Sequence, residues 1–183
     1  MKKIIWFTFI LFVLFFASCE VENPKVQHQS FFDINDFLEK EITQLSTIKS
    51  IKKKVAINGE IDEQILEKFD LKKDLIIFRN CNINKMAWLD KYEVDSTINN
   101  SGQLIELKYI TTDPKLKTRE LTVSYVGEKV NSISIKNTSG NQVSDLQQNL
   151  RYNSMKGYSV ESNQKVTLSD EQTLKVEVQY LNN

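Results

Sequence analysis

Histidine and cysteine are scarce in this 183-residue chain, which contains one histidine and two cysteines. A Ser-His-Asp triad or a Cys-His pair needs a histidine beside its nucleophile, and zinc sites need several cysteine or histidine ligands at short spacing. The single histidine, His28, lies in a polar stretch where a solvated side chain is the simpler interpretation. The sequence therefore indicates neither histidine-dependent catalysis nor a metal site, and it points to no cofactor.

Glycine is also scarce, and the chain has no excess of positive or negative charge. The five glycines never approach the GxGxxG or GxxxxGK spacing of a phosphate-binding loop. Lys and Arg (24) balance Asp and Glu (24), which excludes electrostatic attraction to nucleic acid as the main function. Carboxylate pairs occur at Asp62–Glu63, Asp90–Glu93 and Asp170–Glu171, but each is typical of solvated surface or turn acids. We therefore predict that the protein is not an enzyme.

The amino-terminal segment predicts export. Lys2 and Lys3 precede a fourteen-residue apolar run, IIWFTFILFVLFFA, over residues 4–17. At about 1.5 Å per helical residue, this run is too short for the ~30 Å hydrocarbon core of a bilayer. A positive start, a short apolar centre and small residues at the end are typical of a secretory signal. We predict a signal peptide over residues 1–18.

The end of that segment, Phe15-Phe16-Ala17-Ser18-Cys19, resembles the lipobox of bacterial lipoproteins, with Phe16 where leucine is usual. The resemblance implies cleavage after Ser18, diacylglycerol on the Cys19 thiol and acylation of the new amino terminus. An uncleaved anchor or an ordinary cleavage site is the alternative. Three acyl chains, at about 0.8 kcal/mol per buried methylene, would hold the protein on a membrane without a spanning helix.

The residues after the cysteine carry two further expectations. Glu20 stands where lipoproteins retained in the inner membrane of enteric bacteria have aspartate, and Glu20–Glu22 partly matches the surface-export pattern of Bacteroidota lipoproteins. These resemblances imply the outer membrane, on its periplasmic or surface side. Residues 19–29 are polar and contain Pro24, which predicts a lipidated flexible tether before a single domain over residues 30–183.

The first part of that domain has helical periodicity. After a cap at Ser30 or Asp33, one apolar stripe is formed by Ile34, Phe37, Leu38, Ile42, Leu45 and Ile48. The expected opposite face carries Asp36, Glu39, Lys40 and Glu41. Lys49 and the lysines at 52–54 are expected near the end of this helix, where positive charge is favourable to the helix dipole. The alternative explanation for these lysines is a binding site for a phosphate or a lipid headgroup. A second helical region is predicted over residues 61–78, with Asp70 capping its second half.

After Asn80, β-branched and aromatic residues alternate with polar ones, as in the run Leu174–Tyr180. Four turns carry a glycine, at Gly102, Gly127, Gly140 and Gly157. Turns at such short intervals leave no room for the helices that connect parallel strands, so neighbouring strands must be antiparallel. The expected fold is α+β: two N-terminal helices pack on one face of a six- or seven-stranded antiparallel sheet whose other face is wet.

Three further segments carry candidate functional residues. Cys81 is expected to be a small buried hydrophobe rather than a reactive thiol, because the domain offers no histidine to activate it. Asp95-Ser96-Thr97 resembles the short O-glycosylation acceptor of exported Bacteroidota proteins, which makes Ser96 a candidate, with an ordinary turn as the alternative. The segment Asn82–Trp88 is similar to one in uncharacterised outer-membrane lipoproteins of the Bacteroidota, and we expect Trp88 to pack where helix meets sheet.

Together these observations predict a membrane-anchored envelope lipoprotein without catalytic activity that binds or scaffolds a protein or glycan partner. The alternative is a periplasmic carrier or chaperone for a lipid or other apolar ligand. A cavity of several hundred Å3 between the layers would favour the carrier. The apolar residues are about sufficient to fill the core and no more, which favours the binding protein.

Overall fold

The computed structural model describes residues 31–181. The predicted signal peptide, the lipidation site at Cys19, the tether with His28, and the cap at Ser30 lie outside the described residues. None of the helices within 31–181 combines the length and the apolar character needed to cross a membrane.

The described chain forms helices and a single sheet. The helices are α1 (Ile34–Gln44), α2 (Leu71–Asp74) and α3 (Ile76–Arg79), with 3-10 turns at Leu45–Thr47 and Met86–Trp88. The strands are β1 (Ser50–Ile57), β2 (Glu60–Leu66), β3 (Glu93–Ile98), β4 (Leu104–Ile110), β5 (Thr118–Val126), β6 (Lys129–Gly140), β7 (Ser144–Asn153), β8 (Gly157–Val166) and β9 (Gln172–Leu181).

The sheet is open and antiparallel, with the order β2-β1-β9-β8-β7-β6-β5-β4-β3. Strands β3 to β8 each pair with the next along the chain, whereas the β1–β2 hairpin joins the sheet beside β9. The α+β class is confirmed. The expected six or seven strands were too few, because residues 31–181 contain nine, and a hairpin separates the two helical regions.

Strand β2 was wrongly predicted to be helical. The prediction relied on Ile61, Ile65, Leu66 and Phe69, but residues four apart, such as Ile61 and Ile65, share a face in a strand as well as in a helix. The second half of that prediction is confirmed, since α2 and α3 cover residues 71–79 with a break at Leu75. Asp70 caps α2 by accepting hydrogen bonds from the backbone N–H groups of residues 72 and 73.

Helix α1 begins where the sequence predicted. Asp33 is its N-cap and accepts hydrogen bonds from the N–H groups of residues 35 and 36. The helix ends at Gln44, before Ile48, and the lysines at 52–54 lie in β1 rather than at a helix end. The dipole explanation for these lysines is therefore wrong. Lys52 instead places its Nζ 2.8 Å from a carboxylate oxygen of Glu63 on the neighbouring strand β2.

Aromatic rings join the helical layer to the sheet. Phe37 of α1 and Phe78 of α3 contact the ring of Tyr152 edge-on, with centroid distances of 5.7 and 6.0 Å. Tyr158 lies against Phe78 in the same way, at 5.9 Å. Edge-to-face pairs of this kind are worth about 0.5–1.5 kcal/mol beyond the area they bury. The core thus centres on the middle strands β7 and β8.

The helices cover only part of the sheet face on which they pack. Ile51 and Tyr180 are paired on this face and both are buried. Ile57 and Leu174 are paired on the same face nearer the β1–β2 turn, where their side chains are 56% and 38% exposed. The helical layer therefore stops short of the β1–β2 turn.

The opposite side of the sheet, here called the open face, carries oppositely charged side chains next to one another. Glu120 of β5 lies 3.1 Å from the Lys136 ammonium and 3.4 Å from that of Lys108. Lys175 of β9 pairs with both Glu161 and Glu177, at 3.1 and 3.0 Å. These charges neutralise one another locally, which agrees with the wet second face expected from the sequence.

Candidate functional site

A buried carboxylate, that of Glu41, lies where α1 meets the turn between β7 and β8. Its side chain is only 5% exposed, although the sequence pattern placed it opposite the apolar stripe. That expectation was wrong because Glu41 is four residues after Phe37 and three after Leu38, which puts all three on one helix face. The helical spacing itself was the signal that could have identified it.

Three donors satisfy the Glu41 carboxylate. The Tyr152 hydroxyl and the Met155 backbone N–H donate to Oε2 at 3.0 and 3.1 Å, and the Ser154 hydroxyl donates to Oε1 at 2.8 Å. All three donors are neutral, so the burial of the carboxylate is compensated by hydrogen bonds rather than by a cation. These contacts attach α1 to the β7–β8 turn.

Burial keeps the Tyr152 hydroxyl protonated. Removal from water raises the pKa of Tyr152 far above its ordinary value, and the nearby Tyr180 and the charge of Glu41 raise it further. Burial likewise raises the pKa of Tyr180 to about 12. Both phenols therefore act as neutral groups near pH 7, and the Tyr152 hydroxyl can only donate to Glu41.

Beside Glu41 lies an open cleft of about 490 Å3, here called the α1 cleft. Its apolar walls are Phe37 from α1, Phe32 from the segment just before the α1 cap, Val130 from β6, and Met155 from the β7–β8 turn. Its polar lining comprises Asp33, Asp36, Lys40, Glu41, Gln44, Lys129 and Ser154. A partly apolar cleft with a few converging polar groups is the usual form of a ligand site.

The acids of the α1 cleft are engaged with neighbouring groups. Asp36 Oδ2 lies 2.7 Å from Lys40 Nζ one helical turn away. Asp33 accepts from the side chains of Asn82 and Asn84 at 3.0 and 3.2 Å. Burial tends to raise the pKa of Asp33, but hydrogen bonds from Asp36, Asn84, Asn35 and Asn82 hold it below its ordinary value. The cleft therefore presents a firmly held carboxylate, Asp33, beside an exposed pair of opposite charges.

The loop that follows α3 fixes the start of α1. Asn82 is buried; its Oδ1 accepts from the backbone N–H of Ile34 and its Nδ2 donates to Asp33. The segment Asn82–Trp88 thus has a structural role at its first residue. Trp88 is half-buried against the core, as expected, and Lys85 Nζ lies 3.9 Å above its ring.

Cys81 is buried at 2% exposure, as predicted. Its thiol donates to the backbone carbonyl of Ile77 at 3.2 Å and accepts from the Asn137 amide at 3.1 Å. Burial raises the pKa of Cys81, and the opposing hydrogen bond from Asn137 does not reverse the shift. Cys81 is therefore part of the core and does not line the α1 cleft.

The structure does not bring the other sequence candidates together. Ser96 is exposed in the middle of the edge strand β3, where it pairs with Leu107, so it does not lie in a turn. Asp62 and Glu63 are exposed on opposite faces of β2. Asp90 pairs with its neighbour Lys91 at 3.0 Å. Within residues 31–181, no three metal-ligating side chains cluster in a way that would hold an ion.

Comparison with known proteins found no relative: no protein-family model, curated protein or solved structure significantly matches this chain. What the structure establishes is the class of the fold, an α+β arrangement of two helical segments on a nine-stranded antiparallel open sheet.

Proposed function

We propose that this chain is a membrane-anchored envelope lipoprotein without catalytic activity that binds a partner at the α1 cleft. The cleft itself is the observation that supports binding, because about 490 Å3 of open space combines four apolar side chains with charges of both signs. A partner that fits it would insert an apolar group and place polar or charged groups at the rim. A protein segment or a glycan substituent has this character.

The arrangement of the acids supports binding rather than proton transfer. Glu41 accepts three hydrogen bonds from neutral donors, and Asp36 is paired with Lys40. A general acid or base must exchange its proton with substrate, whereas the Glu41 carboxylate is buried and already bonded to three donors of the fold.

The anchor is proposed from the resemblance of Phe15–Cys19 to a lipobox, with the outer membrane as the expected location. A Cys19→Ala variant tests it, because without the thiol no diacylglycerol can be attached. We expect the wild-type protein in the membrane fraction and the variant in the soluble envelope fraction. Cys81→Ala is the matched control, since it removes the other cysteine and should leave the protein on the membrane. Persistence of Cys19→Ala in the membrane fraction would contradict the lipobox.

A carrier or chaperone for an apolar ligand is the second candidate function. The volume of the α1 cleft, about 490 Å3, and its four apolar side chains favour it, because they could shield part of an acyl chain. The cleft is open, however, and most of the residues that line it are polar or charged, which favours recognition of a partner. Native mass spectrometry of the exported Glu20–Asn183 form distinguishes the two functions. A lipid present at one per chain would support the carrier, and an empty monomer would support recognition of a partner at the cleft.

A further inference from the structure

The free edge of β2 is the most regular unpaired strand edge among the described residues. β2 pairs with β1 through seven consecutive residues, Glu60–Leu66, without a register shift. The other edge strand, β3, carries a register shift between Thr97 and Ile98. Such an irregularity disfavours the addition of a further strand. β2 is therefore the better of the two edges for pairing with an added strand.

The β1–β2 turn determines which backbone groups of β2 face outward. The turn residues Asn58–Gly59 both have positive φ angles, 49° and 91°, as in a two-residue type I′ hairpin. Such a turn is closed by hydrogen bonds between the backbones of Ile57 and Glu60, which lie directly opposite each other. Bonded and non-bonded pairs then alternate along the strands. The residues whose N–H and C=O groups face the free edge are Ile61, Glu63 and Ile65.

The side chains of β2 give this edge two different faces. Ile61 and Ile65 lie on the open face and are 64% and 67% exposed. Glu60 and Asp62 lie on the opposite face, where both are exposed. Neither of these acids forms an ion pair with another residue in the range 31–181. An added strand would meet Ile61 and Ile65 on either side of the ion-paired Glu63 on one face. On the other face it would meet unneutralised carboxylates.

Charge disfavours a second copy of this chain at the edge. β2 carries three carboxylates and no basic residue, and β3 carries Glu93 and Asp95. Pairing β2 with either edge of a second copy would bring like charges together, which destabilises cross-strand pairs. The charge of β2 therefore favours a basic added strand over an acidic one.

Strand β1 shows what kind of sequence pairs with β2. Residues 52–54 of β1 are consecutive lysines. Lys54 lies directly opposite Glu63, and Lys52 Nζ lies 2.8 Å from a carboxylate oxygen of the same glutamate. The chain thus already holds a basic strand against the inner edge of β2.

We propose that the free edge of β2 binds, as a tenth strand, an extended segment of a partner protein in which basic and aliphatic residues alternate. The aliphatic side chains pack beside Ile61 and Ile65 on the open face, and the basic side chains face Glu60 and Asp62. None of these residues lines the α1 cleft. Failure of this proposal is therefore distinguishable from failure of the cleft as a binding site.

The test uses a blocked octapeptide of alternating valine and lysine, with a valine–glutamate peptide as control, added to the full-length protein in detergent micelles. Residue-resolved amide exchange is measured by NMR. We expect the lysine peptide to slow exchange of the Ile61, Glu63 and Ile65 amides, and the glutamate peptide to leave them unchanged. Absence of protection at about 1 mM lysine peptide, or equal protection along β3, would overturn the proposal.

Charge reversal provides the matched variants. Glu60→Lys with Asp62→Lys should weaken binding of the lysine peptide by about tenfold, because two attractive cross-strand contacts become repulsive. Glu93→Lys with Asp95→Lys makes the same charge change at the β3 edge and should alter the affinity by less than about twofold. Equal losses in both variants would show unspecific charge attraction, and a stable dimer formed through β2 would show a second copy as the occupant; either result overturns the proposal.

Discussion

The Glu41 carboxylate of α1 accepts a hydrogen bond of 3.0 Å from the Tyr152 hydroxyl of β7, a residue 111 positions away in the chain. This contact joins the helical layer to the centre of the sheet, and Glu41 also lines the α1 cleft. Because burial holds the Tyr152 hydroxyl in its protonated form, the donor is present at all pH values at which the protein would function.

Replacing Glu41 by alanine should destabilise the fold by about 3 kcal/mol. The substitution leaves three donors without their acceptor, and the Tyr152 hydroxyl cannot reach water from its buried position. Urea unfolding followed by circular dichroism measures the effect. Lys40→Ala, on the exposed side of the same helix, should cost only about 0.5 kcal/mol. Similar losses in the two variants would show that the Glu41 contacts do not hold α1 in place.

Gly157 should be irreplaceable at the start of β8. Its φ is +142°, and a Cβ at this position would lie 1.9 Å from the Val178 carbonyl oxygen on β9. We expect Gly157→Ala to cost about 4 kcal/mol or to prevent folding, since backbone atoms must move apart. Gly102→Ala is the control, because its φ is also positive at +77° but open space surrounds it; it should cost only about 1 kcal/mol. A cooperative thermal transition near the wild-type temperature in Gly157→Ala would contradict this close approach.

The contribution of Asp33 to stability should depend on pH. Hydrogen bonds hold its pKa below the ordinary value of 3.8 despite partial burial. A lowered pKa in the folded state means that the ionised form stabilises the fold above the unfolded pKa, and that this contribution is lost as the pH falls through the folded pKa. We expect Asp33→Asn to reduce the free energy of unfolding at pH 7, with the difference from wild type shrinking below about pH 4. A difference independent of pH between 7 and 3 would show that the charge of Asp33 has no such role.

Cys81 should be unreactive in the folded protein. In the Cys19→Ala variant it is the only thiol; it is 2% exposed, and burial raises its pKa. A water-soluble disulfide reagent at pH 8 should label it at least about 100-fold more slowly in the native protein than in denaturant. Rapid labelling without denaturant would indicate that the loop carrying Cys81 opens frequently.

Local patterns in the sequence predicted those elements whose faces differ strongly in burial. The α1 stripe as far as Leu45, the Asp33 and Asp70 caps and the alternation along β9 are confirmed. In each case one face packs on the core and the other is wet, so the period of the element appears in the sequence.

The sequence failed where the deciding contact is distant or where a face is not buried. The pairing of β1 with β9 joins residues more than 110 positions apart and has no local signature. The isoleucines of β2 are exposed, so their spacing of four did not distinguish a strand from a helix. Glu41 was misplaced because a carboxylate at a core position is rare, and its donors come from the distant β7–β8 turn.

The most direct test of the central claim, that the α1 cleft binds a partner, is site-specific photo-crosslinking of the lipidated protein in intact cells. The photoreactive residue is introduced at Gln44 or at Lys129, which both line the cleft. The control position is Arg151, which is exposed on the open face. We expect one shared adduct of discrete mass from the two cleft positions and none from the control. No adduct at the cleft, or the same adduct at all three positions, would contradict the claim, and an adduct with the mass of a lipid would replace it with the carrier.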